Sequence, residues 1–275
     1  MICPQDIAHY LPLDVYSEER RGAPLNHKFA YLDVHFPIPF AHRGGALDAP
    51  ENSIEAFQSA IDIGYRYLET DVHLTSDGHV IAFHDDVLDR VTDISGKISE
   101  TPYSLIKDAL IEGKAHIPLM SDLLLAFPEA RFNIDPKDDQ VVQPLADLIK
   151  KTASTDRICV GSFSDKRTAA VSKLVGTNLC TGVGPSGVAK LRLGNFGTGS
   201  VRGQCVQVPT SAKGLPLITD VFIERVHSLG KVVHAWTIND PSEMHRLLDM
   251  GVDGIMTDKP QILKDVLLER NEWAQ

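Results

Sequence analysis

Basic charge is the first thing this chain has little of: 27 Lys and Arg stand against 37 Asp and Glu, a net charge of −10. Binding to duplex nucleic acid by counterion release needs a basic face. Docking on an anionic bilayer needs a polybasic patch. Neither is expected here. Cysteine is also scarce: Cys3, Cys159, Cys180 and Cys205 are widely spaced, with no CxxC pair. That argues against a disulfide framework and fits a reducing, cytoplasmic setting. The last three lie in apolar, strand-like runs and read as small buried hydrophobes. No run of 18 apolar residues occurs, so no segment is expected to span a membrane. Residues 1–10 lack a basic stretch followed by an apolar one, so no signal peptide is expected. A nucleotide fingerprint is missing as well. The glycines at 194, 197, 199 and 203 match neither G-x-G-x-x-G after a strand nor a P-loop, and read as a mobile loop.

What is present is a regular alternation of short β-rich runs with helical patterns. Strands are expected at 37–41, 67–72, 131–134, 158–161, 179–181, 204–208, 232–236 and 254–256. Helical periodicity follows at 140–151, 165–175, 220–229, 241–250 and 260–269. Another helix opens near Asn52, which with Glu55 three residues on resembles a capping box, and stops at Gly64. Eight βα units in 275 residues, 43% of them apolar, predict an α/β fold, the (β/α)8 TIM barrel. The domain would span 37–275, with an insertion of about 79–118 after the second strand and an extension at 1–36. That extension either packs across the barrel bottom or serves an oligomer. An insertion at a βα junction lies over the mouth where barrel enzymes do their chemistry.

The chemistry-bearing residues gather at the ends of those strands. Glu69 and Asp71 are two apart on a strand, so both project to one side. Paired carboxylates repel unless a cation or a proton is shared, and an all-oxygen set suits Mg²⁺ or Ca²⁺. His42-Arg43-Gly44-Gly45 follows the first strand. Arginine can grip a phosphate with two parallel hydrogen bonds, and the glycines admit a close ligand. His84-Asp85 ends the hairpin-like excursion beyond strand two, so two histidines are available as acid and base. Asp135 and Lys137 end the third strand. Asp135 either completes a three-carboxylate metal site or caps a helix with Pro136 at its first position. Lys137 either neutralises a phosphoryl group or is solvated.

These segments together resemble the glycerophosphodiester phosphodiesterases. The resemblance rests on His42-Arg43-Gly44, Pro50-Glu51-Asn52-Ser53, Glu69-x-Asp71 and the run from Asp77 to His84-Asp85. Leu88-x-Arg90, Ala235-Trp236-Thr237-Ile238-Asn239 and the run 251–260 extend it to nearly the whole chain. It implies a TIM barrel, one divalent cation (Mg²⁺ or Ca²⁺), and hydrolysis of a small glycerophosphodiester to glycerol 3-phosphate and an alcohol. It also implies His42 and His84 as the acid/base pair, with Glu69, Asp71 and Asp135 as metal ligands. Arg43, Lys137, Asn52 and Trp236 would be the substrate and phosphate contacts, Asn52 orienting the loop or a ligand and Trp236 lining the glycerol end. Where the family usually carries Glu-x-Lys, this chain has Asp135-Pro136-Lys137. Three alternatives stand beside this reading: a lysophospholipase D or sphingomyelinase D-like activity, a non-catalytic phosphate-ester-binding barrel, and a barrel isomerase or aldolase. An aldolase would need a Schiff-base lysine within a barrel strand, and the expected strands contain none.

Overall fold

Eight parallel strands, each followed by a helix, make up the computed structural model, which describes residues 28–35, 37–194, 201–212 and 214–273. The strands are β1 (Ile38–His42), β2 (Tyr67–Leu74), β3 (Arg131–Pro136), β4 (Ile158–Val160), β5 (Cys180–Thr181), β6 (Cys205–Val208), β7 (Val232–Ala235) and β8 (Gly254–Thr257). The helices are α1 (Ile54–Asp62), α2 (Met120–Ala126), α3 (Val142–Lys151), α4 (Asp165–Val175), α5 (Pro185–Leu193), α6 (Asp220–Ser228), α7 (Pro241–Asp249) and α8 (Pro260–Glu269). Pairing runs continuously from β5 back through β1, then by way of β8 and β7 to β6. Between β5 and β6, among the described residues, only the Gly182–Cys205 bridge closes the ring, with Val183 N–H on Cys205 O at 2.8 Å and Gln204 N–H on Thr181 O at 2.7 Å. That seam is the weakest in the barrel.

Alternation along each strand divides its residues between two environments. Leu68, Phe132, Ile134, Ile158 and Val160 point outward into a core shared with the helices. Val206, Val233, Ala235 and Ile255 do the same on the other side. Inside, Phe40, Tyr67, Cys159, Cys180, Cys205 and Met256 form a separate apolar plug. Each large buried side chain contributes about 1.5–3 kcal/mol. Phe29, Tyr31 and Leu32 close the plug from the N-terminal end of the strands, where Tyr67 Oη donates to Tyr31 O at 2.5 Å. The described part of the extension therefore lies across the barrel bottom. Residues 1–27, and with them Cys3, lie outside the described residues, as does most of the 194–203 stretch.

The insertion after β2 has its own small core around Ile81, Phe83, Leu88, Ile98 and Ile111. Its first strand, Val80–Ala82, turns back antiparallel on β2, with Val72 opposite Ala82 and Phe83 N–H on Asp71 O at 3.0 Å. This pairing carries His84 over the C-terminal ends of the barrel strands.

Two local expectations are corrected. Helix α1 is capped by Ser53, whose hydroxyl accepts Ala56 N–H at 3.1 Å, and not by Asn52. Asn52 adopts a left-handed φ of +59° and turns its side chain inward. Pro136 is no first-turn proline either: β3 runs through it, and α3 begins only at Val142. Its register opposite Val72 extends the strand, so Asp135 stands beside Asp71 and does not cap a helix.

Candidate active site

A cavity of about 530 Å³ opens at the C-terminal ends of the strands. His42, Arg43, Glu69, Asp71, His84, Asp135, Lys137 and Trp236 line it, so eight of the nine residues expected from the sequence converge there. The ninth, Asn52, is fully buried behind them. Its Nδ2 donates to Asp71 Oδ2 at 3.3 Å and its Oδ1 accepts Thr70 Oγ1 at 2.8 Å. It holds Asp71 in place instead of facing a ligand.

The turn after β1 is built for close approach. Arg43 has a left-handed φ of +51°, and Gly44, at +83°, packs against α1. A Cβ on Gly44 would lie 2.7 Å from Ala56 Cβ and 2.9 Å from backbone atoms, so only glycine fits. The same turn points Arg43 N–H at Glu69 Oε2 (3.1 Å) and its guanidinium Nε toward Asp71 Oδ2 (3.4 Å). Arg43 Nη1 reaches Glu51 Oε1 at 3.3 Å.

The two histidines are held alike. His42 Nδ1 meets Asp258 Oδ1 at 2.6 Å, and His84 Nδ1 meets Asp85 Oδ1 at 2.6 Å. A carboxylate can only accept, so each Nδ1 carries the proton and each Nε2 is left for chemistry. Asp258 is itself fixed by Asn239 Nδ2 at 2.8 Å, while Asn239 Oδ1 accepts Asp258 N–H at 2.8 Å. Asp85 is gripped by Arg90, which also forks onto Glu51 at 2.6 and 3.1 Å. Glu51 and Arg90 thus tie the Arg43 side of the site to the His84 side. Residues in these supporting roles, Asp258, Asn239, Glu51, Asp85 and Arg90, all fall inside the motifs quoted above. The tasks of Asp258, Asn239 and Glu51 could not be read there because their partners His42, Asp258 and Arg90 are distant in sequence.

The charges shift one another. Burial and the neighbouring Asp71 push Glu69 up to about 7. Asp71 resists the same burial and stays below the usual carboxylate range, because Lys137 and Arg43 favour its charge. Lys137 Nζ lies between Asp71 Oδ1 (2.7 Å) and Asp135 Oδ2 (2.8 Å). Burial lifts Asp135 despite that contact. Burial draws His42 down, but Glu69, 3.7 Å from its Nε2, and Asp258 outweigh it and raise it.

The carboxylates fit a hard divalent cation. Asp135 Oδ1 is buried without a hydrogen-bond partner, and Glu69 holds a proton near neutrality that a cation could replace. Their donor oxygens are not drawn to within 4.8 Å of one another: Asp71 and Asp135 share Lys137, and Glu69 turns toward His42 and Arg43. Below them Gln207 crosses the barrel to Asn133 Oδ1 at 2.8 Å and forms a polar floor. Gly161 leaves room for it, since a Cβ there would lie 2.6 Å from Gln207 Oε1. Trp236 meets Phe163 edge to face, with centroids 5.7 Å apart, and makes one wall apolar.

Comparison with known proteins gives the chain's family and its fold relatives. The family model described as "Glycerophosphoryl diester phosphodiesterase family" matches residues 42–262. A Mycobacterium tuberculosis protein described as probable glycerophosphodiester phosphodiesterase 2 is 36% identical over 244 residues, covering 86% of this chain and 92% of its own. A lysophospholipase D from Homo sapiens is 29% identical, covering 87% of this chain and 88% of its own. Among solved structures, an Oleispira antarctica phosphodiesterase in complex with sn-glycerol-3-phosphate superimposes with a TM-score of 0.72. At 22% identity, covering 84% of this chain and 97% of that one, it shows the shared barrel.

Proposed function

The chain belongs to the glycerophosphoryl diester phosphodiesterase family, and from that premise we propose that the cavity hydrolyses a glycerophosphodiester to glycerol 3-phosphate and an alcohol. One observation carries the reading. Two imidazoles with carboxylate-bound Nδ1 atoms share a single cavity with Arg43 and Lys137. Arg43, steadied by Glu51, holds the phosphodiester. Lys137 offsets negative charge developing on the phosphoryl oxygens. One bare Nε2 takes a proton from the attacking oxygen, which is water or the substrate's glycerol hydroxyl, and the other ring, entering as the imidazolium with both nitrogens protonated, gives its Nε2 proton to the departing oxygen. Glu69, Asp71 and Asp135 would hold a divalent cation, which when bound supplies further positive charge to the phosphate. Trp236 and Phe163 offer apolar surface to the carbon skeleton.

A second reading, lysophospholipase D, is favoured by the apolar rim: Phe163 is 69% exposed, and Val188, Ala189 and Leu217 continue the lining. Among the described residues no helix is long and apolar enough to cross a membrane, so a lysolipid would have to be drawn from solution or from a surface.

The test is release of glycerol 3-phosphate from glycerophosphocholine and glycerophosphoethanolamine, with lysophosphatidylcholine compared. Mg²⁺, Ca²⁺ and a chelator are the arms. Turnover of the small diesters that the chelator abolishes is the expected outcome. Turnover of lysophosphatidylcholine alone would favour the second reading, and no turnover of any substrate with either ion would exclude both.

A further inference from the structure

At the other end of the barrel interior, three thiols converge. Cys159 on β4, Cys180 on β5 and Cys205 on β6 are fully buried, with every Sγ within 4.8 Å of the others. The Cys180–Cys205 pair stands at 3.6 Å and the Cys159–Cys205 pair at 3.8 Å. Among the described residues no other group of three or more His, Cys, Asp or Glu side chains gathers its ligand atoms this tightly. Thiols packed only as small hydrophobes have no need to meet sulfur to sulfur. Three thiolates 2.3 Å from a common ion would lie about 3.8–4.0 Å apart, whether tetrahedral or trigonal. The two pairs that include Cys205 need adjustment by only a few tenths of an ångström, and the Cys159–Cys180 pair is held within 4.8 Å.

A second, independent feature lies one layer above. His234 on β7 is completely buried, and its Nε2 has no hydrogen-bond partner. Its Nδ1 stands 3.5 Å from Gln207 Nε2, and its ring packs on Phe40 at a centroid distance of 4.8 Å. Register pairs Val232 with Cys205, so His234 is two residues further along the strand next to that thiol. A buried imidazole nitrogen without a partner is costly unless something binds it.

We propose that Cys159, Cys180 and Cys205 form a second metal site, specific for a thiophilic closed-shell cation (Cu⁺ or Zn²⁺); His234 stands outside the 4.8 Å sulfur cluster and would have to move toward it to fill a fourth position. Three sulfurs alone suit trigonal Cu⁺, and three sulfurs with one imidazole are an established donor set for structural Zn²⁺. The site differs in kind from the carboxylate set at the barrel mouth, whose oxygens select hard cations. Its place suggests its task. Cys180 and Cys205 face each other across the β5–β6 seam, which a single bridge closes. An ion held by both strands would staple the barrel where its hydrogen bonding is thinnest. Because the thiols are buried, the ion would enter during folding.

The test uses the full chain, refolded without oxygen in the presence of Zn²⁺, Cu⁺ or, as a spectroscopic probe, Co²⁺. About one equivalent of Zn²⁺ or Cu⁺ should remain after gel filtration in excess Mg²⁺, and the arm that retains it identifies the cation. The Co²⁺ sample should show sulfur-to-metal charge transfer, which carboxylate ligation cannot produce. Cys180→Ser should lose both signals, and Glu69→Gln, at the mouth, should keep them. A folded, fully reduced wild-type chain that retains neither ion and shows no charge transfer would overturn the proposal, whatever happens to the variant. A band that persists in folded Cys180→Ser would overturn it too.

Discussion

Asp258, just past the last barrel strand, binds Nδ1 of His42, at the end of the first, across 2.6 Å. The contact joins positions 216 residues apart and exists only because β8 pairs with β1. It sets which nitrogen of His42 faces the cavity.

Asp258→Asn should therefore hurt turnover more than binding. An amide can donate to Nδ1, stabilising the tautomer whose Nε2 carries the proton. A loss of roughly 10²-fold or more in kcat with little change in KM is expected. Steady-state kinetics decide this, and kcat close to wild type would remove Asp258 from the mechanism.

Glu69 carries a pH signature. Its folded value near 7 lies above its ordinary 4.5, so the folded state holds a proton that the unfolded state releases first. Metal-free stability must therefore fall as pH rises from about 4.5 to 7 and stay low above that. Glu69→Gln mimics the protonated acid and removes the penalty. In chelator, the variant should match wild type near pH 4 and exceed it at pH 8 by on the order of 1–3 kcal/mol. Thermal unfolding at the two pH values reads the difference, and a wild type favoured at pH 8 contradicts the assignment.

Arg43→Lys tests the phosphate grip. A lysine tolerates the same left-handed backbone as arginine but lacks the planar fork. Loss of a charged hydrogen bond should lower kcat/KM by roughly 10- to 100-fold. The unfolding temperature should move little. Unchanged kcat/KM would place the phosphate elsewhere.

Asn52 separates backbone from side-chain effects. Asn52→Ala leaves Asp71 Oδ2 and Thr70 Oγ1 short of a partner and puts alanine at a φ of +59°. Together these should cost about 2–4 kcal/mol. Asn52→Gly should recover about 1 kcal/mol of that, the backbone share. Chemical denaturation of the two variants measures it, and equal stabilities would mean that the left-handed backbone carries no strain.

Much was legible in the linear chain because the physics involved is local. Alternation of β-rich and helical periods is a property of neighbouring residues, so the eight strands and the helices at 165–175 and 260–269 could be placed from it. Glu69 and Asp71 could be set on one side of β2 for the same reason. Helix α5 left no such mark, since its apolar residues are not gathered on one stripe. Asn52 looked like a cap because its residue type suits one. Only its buried bonds to Asp71 and Thr70 decided otherwise, passing the cap to Ser53.

The amino-acid sequence by itself determined the barrel, the family, and most of the chemistry-bearing side chains that meet in the cavity, His42, Arg43, Glu69, Asp71 and His84 among them. Tertiary structure alone decided how those side chains are held: Asp258 on His42, Arg90 and Glu51 bridging the two sides of the site, and Lys137 between Asp71 and Asp135. It alone also brought Cys159, Cys180 and Cys205 together. The reason is closure. Strand periodicity states which face a residue takes, but only the register of eight strands around a ring states which residue it meets there.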